Sequence, residues 1–349
     1  MLNKMLTKER KIYIDPSYPV FASNGLFDLT NPMLNRDDQL VPFNRFRDYM
    51  KSKNISVNTA DYLFKNHNSE VEYCDYYSLG IIDNYKRILL EKKARLAAFV
   101  ILEPPVVLPE LYEALPKITT AFERVYLPNT TGDGYSLEGV DISKLHKLYW
   151  PIPYNHVLEP YWSNSDRMKR IVVINGNHKP KGKNREQYSL RIKAMAELSE
   201  IGVIDLYGTN WDKWFLRRSM WLPYWKNRSK IMSIYKGTCR SKYEVLKCYD
   251  FCLCFENMMM DGYITEKLFD CLYAGTVPLY MGAPNILEYI PADVFVDCRQ
   301  YSTWKEMWDD VTCMPDQKII AMKKAGRSFL ESNNAKKFYG SIENICINK

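Results

Sequence analysis

Short apolar runs of strand length alternate along this chain with stretches in which apolar residues recur every three or four positions. Polar, Gly- or Pro-containing segments separate the two kinds of block. Lys11–Asp15 alternates as a strand, and a Pro-rich loop follows to about Pro42. Phe43–Lys53 and Ala60–Lys65 predict helices, Tyr76–Ile82 a strand, and Asn84–Arg95 a helix with Ile88, Leu89 and Leu90 turned inward. Leu96–Leu102 is too short and too apolar for an amphipathic helix, so it predicts a buried strand that ends at Glu103-Pro104-Pro105. Two short helices (Leu108–Leu115, Lys117–Glu123), a strand (Val125–Leu127) and a polar Gly-rich loop (Thr130–Val140) come next. Trp150-Pro-Ile-Pro-Tyr154 is a stiff connector.

A second pattern begins after this connector. Arg170–Ile174 predicts a buried strand, Tyr188–Glu200 a helix, and Val203–Tyr207 a strand closed by Gly208. This βαβ unit implies a parallel, doubly wound sheet. Lys242–Cys248, Phe251–Phe255, a helix from Thr265 to Gly275, and Val277–Met281 continue the alternation, and Asp316–Phe329 predicts a further helix. A chain of 349 residues exceeds one typical core. The expected organisation is α/β, with an N-terminal domain over 1–155, a second over 156–335, and a tail, 336–349, that folds back on the first.

Composition narrows the function. Hydrophobic residues at 46% suffice for two cores, and the net charge of +7 favours an anionic partner. The basic residues concentrate in the second half, at Lys179–Arg185, Arg217-Arg218 and Lys226–Lys230. No zinc-finger spacing or RNA-recognition motif accompanies them, so a nucleotide or a phospholipid surface is the expected partner and nucleic acid is not. The nine cysteines have no regular spacing. Cys252 and Cys254 share one strand face as small apolar residues, and a reducing compartment is expected. His67, His146, His156 and His178 form no metal-ligand pattern, and no Asp-x-Asp motif offers a magnesium site. No apolar run approaches the roughly 18 residues of a spanning helix, and residues 1–10 lack the apolar core of a signal peptide. The expectation is a cytoplasmic protein with at most peripheral membrane contact.

The chemistry concentrates in residues 255–285. The strand ending at Phe255 leads into a loop holding Glu256, Asn257, Tyr263, Glu266 and Lys267, and a short helix then stops at Gly275. Thr265 suits the N-cap and Gly275 the C-cap. A helix start offers unpaired N–H groups to a phosphate, and Lys267 in its first turn suits a bound anion beside it. Polar groups of both signs thus gather where a strand ends and a helix begins, the edge at which open α/β sheets bind ligands.

Phe-Glu-Asn at 255–257, Tyr-Ile-Thr-Glu-Lys at 263–267, Ala-Gly-Thr-Val-Pro at 274–278 and Gly-Ala-Pro at 282–284 closely resemble the signature of the α1,3-fucosyltransferases, glycosyltransferase family 10. The resemblance is strong from about Lys183 to Asp297 and faint in the first half. It implies the GT-B fold, two Rossmann-like domains facing across a cleft. It also implies an inverting, metal-independent transfer of L-fucose from GDP-β-L-fucose to a glycan hydroxyl, of α1,3 type. Donor contacts carried over are Arg191, Asn257, Tyr263, Glu266 and Lys267, with Arg185 and Lys193 as alternatives to Arg191. Arg191 and Lys267 would meet the pyrophosphate, and Glu266 the charge building on the sugar. Glu256 is assigned to holding the loop. Glu103 is the expected base, with Glu110, Asp75 and Asp83 as competitors. No cofactor is implied, and the acceptor would be an oligosaccharide or glycoconjugate. The competing readings are another nucleotide-sugar donor on the same fold, or an inactive binding relative.

Overall fold

The computed structural model describes residues 10–65, 73–213, 215–216 and 220–347. Residues 1–9, His67 and the Arg217-Arg218 pair of the sequence reading lie outside them. The chain forms two compact units. The first takes residues up to 103, 110–153 and the segment from 340. The second takes 104–109 and 154–339.

The first unit runs β1 (Arg10–Asp15), α1 (Val41–Ser52), β2 (Ile55–Thr59), α2 (Ala60–Lys65), β3 (Cys74–Ser78), α3 (Tyr85–Glu91), β4 (Arg95–Val100), α4 (Pro109–Glu113), α5 (Leu115–Ala121), β5 (Arg124–Leu127) and β6 (Leu145–Lys147). Its six strands are parallel, in the order β2-β1-β3-β4-β5-β6. Parallel strands require crossover connections that cover both faces, which is why β4 reads as an unbroken apolar run and Ala97, Ala98 and Phe99 are fully buried.

Two expectations need correction. The helix foreseen over Asn84–Arg95 ends at Glu91, because Lys92 turns left-handed (φ 46°) and its N–H closes on the Ile88 and Leu89 carbonyls. Ile88 is buried, but Leu89 and Leu90 are 50% and 85% exposed. A helix of two turns has one inward face, and Tyr85 and Ile88 at i,i+3 already occupy it. β3 likewise starts at Cys74 and stops at Ser78, two residues before Gly80 (φ 83°).

The second unit contains α6 (Glu159–Trp162), β7 (Met168–Ile174), α7 (Tyr188–Glu200), β8 (Ile204–Tyr207), α8 (Leu222–Ile234), α9 (Lys242–Leu246), β9 (Tyr249–Phe255), α10 (Glu266–Ala274), β10 (Val277–Met281), β11 (Val296–Asp297), α11 (Trp304–Thr312), α12 (Asp316–Leu330) and α13 (Asn333–Tyr339). Its parallel strands run β11-β10-β9-β7-β8. The order reverses between β7 and β9, the switch point at which doubly wound sheets leave a crevice beyond their strand ends. The last helix, α14 (Ser341–Ile347), belongs to the first unit, where Ile342 and Ile345 join a core with Phe43, Phe46, Tyr77 and Tyr126.

Candidate active site at the switch point of the second sheet

β9 is buried throughout except for half-buried Asp250, and Glu256 continues its pairing by donating its N–H to the Met281 carbonyl (2.8 Å). The chain then leaves the sheet and returns as α10, whose start is fastened to the strand end by one carboxylate. Oε1 of fully buried Glu256 accepts the Thr265 N–H at 2.7 Å. Its Oε2 accepts the Thr265 hydroxyl at 2.8 Å and the Lys267 ammonium at 3.2 Å. Thr265 caps α10 by accepting the Lys267 N–H, and its hydroxyl oxygen also accepts from Lys267 Nζ at 2.8 Å. Lys267 is thereby held from two sides, with Glu266 Oε1 at 3.6 Å.

Beside this helix start lies a cavity of about 220 Å³, lined among others by Asn175, Gly176, Lys242, Glu266, Lys267 and Asp270. Its walls are the end of β7, the strand β9, and the starts of α9 and α10, so it occupies the switch point. The β7 and β8 ends are zipped together there by Asn175 N–H to the Tyr207 carbonyl (3.0 Å) and Asn177 N–H to the Thr209 carbonyl (2.9 Å). Gly208 permits this approach, since at its φ of 146° a Cβ would sit 1.8 Å from the Asn175 carbonyl oxygen.

The electrostatics are balanced rather than simply basic. Lys267 is matched by Glu256, and Lys242 by Asp270 at 2.7 Å. Burial works to raise the Glu266 carboxyl, but the Lys267 and Lys242 charges outweigh it and hold its pKa below the ordinary value. Glu266 Oε2 is buried without a hydrogen-bond partner. The cavity is therefore lined by two ammonium groups and an ionised carboxylate side by side, and net charge is not what it offers a ligand. Among the described residues, no three His, Cys, Asp or Glu side chains are placed to hold a metal ion.

The other residues singled out from sequence fall into three places. Arg191, in the first turn of α7, is buried, and its Nη2 donates to the carbonyls of Phe255 (2.6 Å) and Glu256 (3.1 Å). It stacks over the Tyr188 ring at 5.4 Å, and its Nε is buried without a hydrogen-bond partner. Burial pushes its pKa down, opposed by nearby Tyr188 and Glu256. Half-buried Asn257 donates to the hydroxyl of buried Tyr263 (3.5 Å), and its carbonyl accepts the Gln187 N–H (3.0 Å). Met258 and Met260 of the same loop are fully buried. Glu103 belongs to the first unit, half-buried just beyond β4, and its carbonyl accepts the Tyr112 hydroxyl at 2.9 Å.

Of the alternatives, Asp75 is buried between Arg10 and Arg95 at the opening of β3, while Asp83 and Glu110 are exposed. Lys193 is exposed and lies 3.8 Å from Glu197, and Arg185 is exposed. Sequence reasoning missed Lys242 and Asp270. The signal for Asp270 was its spacing, four residues after Glu266 on one helix face. Lys242 comes from another element and carried no local signal.

Residues 178–323 match the family model for Glycosyltransferase family 10 (fucosyltransferase) C-term. Alpha-(1,3)-fucosyltransferase FucT of Helicobacter pylori is 33% identical over 110 residues, 32% of this chain and 23% of that protein. GDP-fucose protein O-fucosyltransferase 3 of Mus musculus is 28% identical over 176 residues, 50% of this chain and 31% of that protein. These matches span less than a third of each relative's length. Among solved structures, Anabaena Alr3699/HepE in complex with UDP and glucose superposes with a TM-score of 0.56 at 10% identity, covering 97% of this chain and 99% of that one. At that identity the likeness concerns fold alone, and with the two Rossmann-like units it places the chain in the GT-B class.

Proposed function

We propose that this chain, whose residues 178–323 match the family model for glycosyltransferase family 10 (fucosyltransferase), moves L-fucose from GDP-β-L-fucose to a hydroxyl of an oligosaccharide or glycoconjugate. The transfer inverts the anomeric centre, forms an α1,3-type linkage and uses no metal ion. The observation that carries the reading is the Glu266–Lys267 pair in the first turn of α10, opening into a cavity at the switch point. At about 220 Å³ the cavity is smaller than the roughly 300–1,000 Å³ of a typical ligand pocket. It suits the diphosphate rather than the whole sugar nucleotide.

In this reading the acceptor oxygen attacks the anomeric carbon as the bond to the diphosphate breaks, and the electron pair leaves with GDP. Glu103 takes the acceptor proton. Lys267 and Arg191 meet the charge arriving on the phosphate. The ionised Glu266 faces the positive charge that builds on the ring. Asn257 and Tyr263 hold the nucleotide sugar beside them.

The test is GDP release by the full chain with GDP-fucose and an array of glycans, with GDP binding followed by titration calorimetry. Lys267→Ala should lower turnover by about 10²-fold, the usual cost of losing one transition-state contact, measured at a temperature at which circular dichroism shows the variant folded, because the substitution also strips buried Glu256 of its cation. Near-normal turnover in that variant would refute the role. Binding of GDP without any turnover would instead favour an inactive relative.

A further inference from the structure

The segment Trp211–Lys230 carries six Lys or Arg against one Asp, a net of +5 within a chain whose total is +7, and four of the eight Trp. Its described residues also gather apolar surface. Phe215, Leu216, Met220, Leu222 and Trp225 are each between 36% and 63% exposed, five of the eighteen large apolar side chains that are exposed among the described residues. Lys213, Lys226, Arg228 and Lys230 of the same segment are exposed, Lys230 being paired with Glu200.

The segment is anchored from behind. Tyr224, Ile231 and Ile234 bury the inner face of α8, which packs on α7 and β8. The indole N–H of buried Trp211 donates to the Asn175 carbonyl at 2.7 Å, and that of Trp221 to Asn177 Oδ1 at 3.4 Å. The core has therefore taken what it can use, and what remains outward is aromatic, aliphatic and cationic at once.

We infer that this segment is a membrane-surface docking site. Phe215, Leu216, Met220, Leu222 and Trp225 enter the interface of an anionic bilayer, and Lys213, Lys226 and Arg228 meet the lipid headgroups. Trp, Phe and Leu beside Lys and Arg is the composition of elements that lie in a headgroup interface, and each cation near an anionic surface adds to the attraction. A second copy of the chain is a poorer occupant, because a two-fold contact would press one cationic patch against its twin. Nucleic acid would engage the cations but leave the apolar tips in water. The contact is peripheral, since among the described residues no helix is long and apolar enough to cross a membrane. Through Asn175 and Asn177 the docked segment connects directly to the loop that forms the cavity wall.

This inference does not depend on the sugar donor, and its test keeps the two apart. The full chain is floated with vesicles of phosphatidylcholine alone or with added phosphatidylglycerol, at low and high salt. The expected result is flotation with the anionic vesicles only, weakened by salt. Lys213→Gln and Lys226→Gln should each lower the partition about fivefold. Phe215→Ser/Leu222→Ser/Trp225→Ser should lower it more than tenfold, while GDP affinity and the melting profile stay as in the unaltered chain. Failure of the unaltered chain to float with anionic vesicles would overturn the inference. So would equal flotation of the triple variant, tighter binding to an oligonucleotide than to the vesicles, or a concentration-dependent dimer that the triple variant abolishes.

Discussion

Glu256 is wholly buried, and both of its carboxylate oxygens are in use, on the Thr265 N–H, the Thr265 hydroxyl and Lys267. Lys267 is itself only 16% exposed, so removing the carboxylate would leave a cation with little water to replace it. Glu256→Gln is therefore expected to cost about 3 kcal/mol of stability, read by denaturant unfolding, and to raise KM for the donor more than for the acceptor. An unchanged unfolding midpoint would mean that the pair holds nothing and that Glu256 serves the ligand directly. Glu266 supplies the pH test. Burial opposes its ionisation, Lys267 and Lys242 outweigh burial, and its folded pKa lies below the ordinary 4.5. The stabilisation it contributes is complete above that value and is lost as pH falls through the folded pKa. Stability measured from pH 6 downward should consequently fall more steeply below about 4.5 in the unaltered chain than in Glu266→Gln. Identical slopes would remove the coupling to the two lysines.

At the scale of elements, α10 shows what local chemistry can specify. Thr265 caps its start and Gly275 its end (φ 69°), each a signal carried by one residue in sequence. A Cβ at 275 would lie 3.0 Å from Trp162 and 3.1 Å from Arg167 Nη2, an atom that also donates to the Ala274 carbonyl at 2.6 Å. Gly275→Ala should thus destabilise by about 1–2 kcal/mol through the left-handed backbone alone, with more from crowding. A thermal melt of the variant checks this, and an unchanged midpoint would contradict the assigned end. Elements that announce themselves by an apolar run or a cap, such as β4, β7, β9 and α10, were legible in the sequence. β2, β6 and β11 were not. β6 is three half-buried residues and β11 only two residues, buried Val296 and half-buried Asp297, and each is a strand only because a neighbour pairs with it. The site divides in the same way. Glu266 and Lys267 follow from their place at a helix start. The bonds from Arg191 to the Phe255 and Glu256 carbonyls span more than sixty residues, and no local pattern encodes them.

Across the whole molecule, the chain closes its first unit with its last described helix. Ile342 and Ile345 are buried in that unit's core, Arg45 pairs with Glu343 at 2.7 Å, and Arg124 donates to the Ile345 carbonyl at 2.7 Å. Burying two isoleucine side chains contributes on the order of 3–6 kcal/mol, whereas a partly exposed ion pair adds about 1 kcal/mol at most. Apolar burial therefore dominates the attachment. That is a large share of the roughly 5–15 kcal/mol that stabilises a typical domain. Deleting the chain after Gly340 should accordingly melt the first unit well below the second. The cavity residues, all between 174 and 271, lie in the second unit. GDP affinity should for that reason survive the deletion while transfer to a glycan is lost, as seen by comparing titration calorimetry with turnover at a temperature between the two melts. If GDP binding instead disappears with the first unit, the nucleotide contacts extend beyond the sheet that carries the cavity, and the division of labour between the two units has to be redrawn.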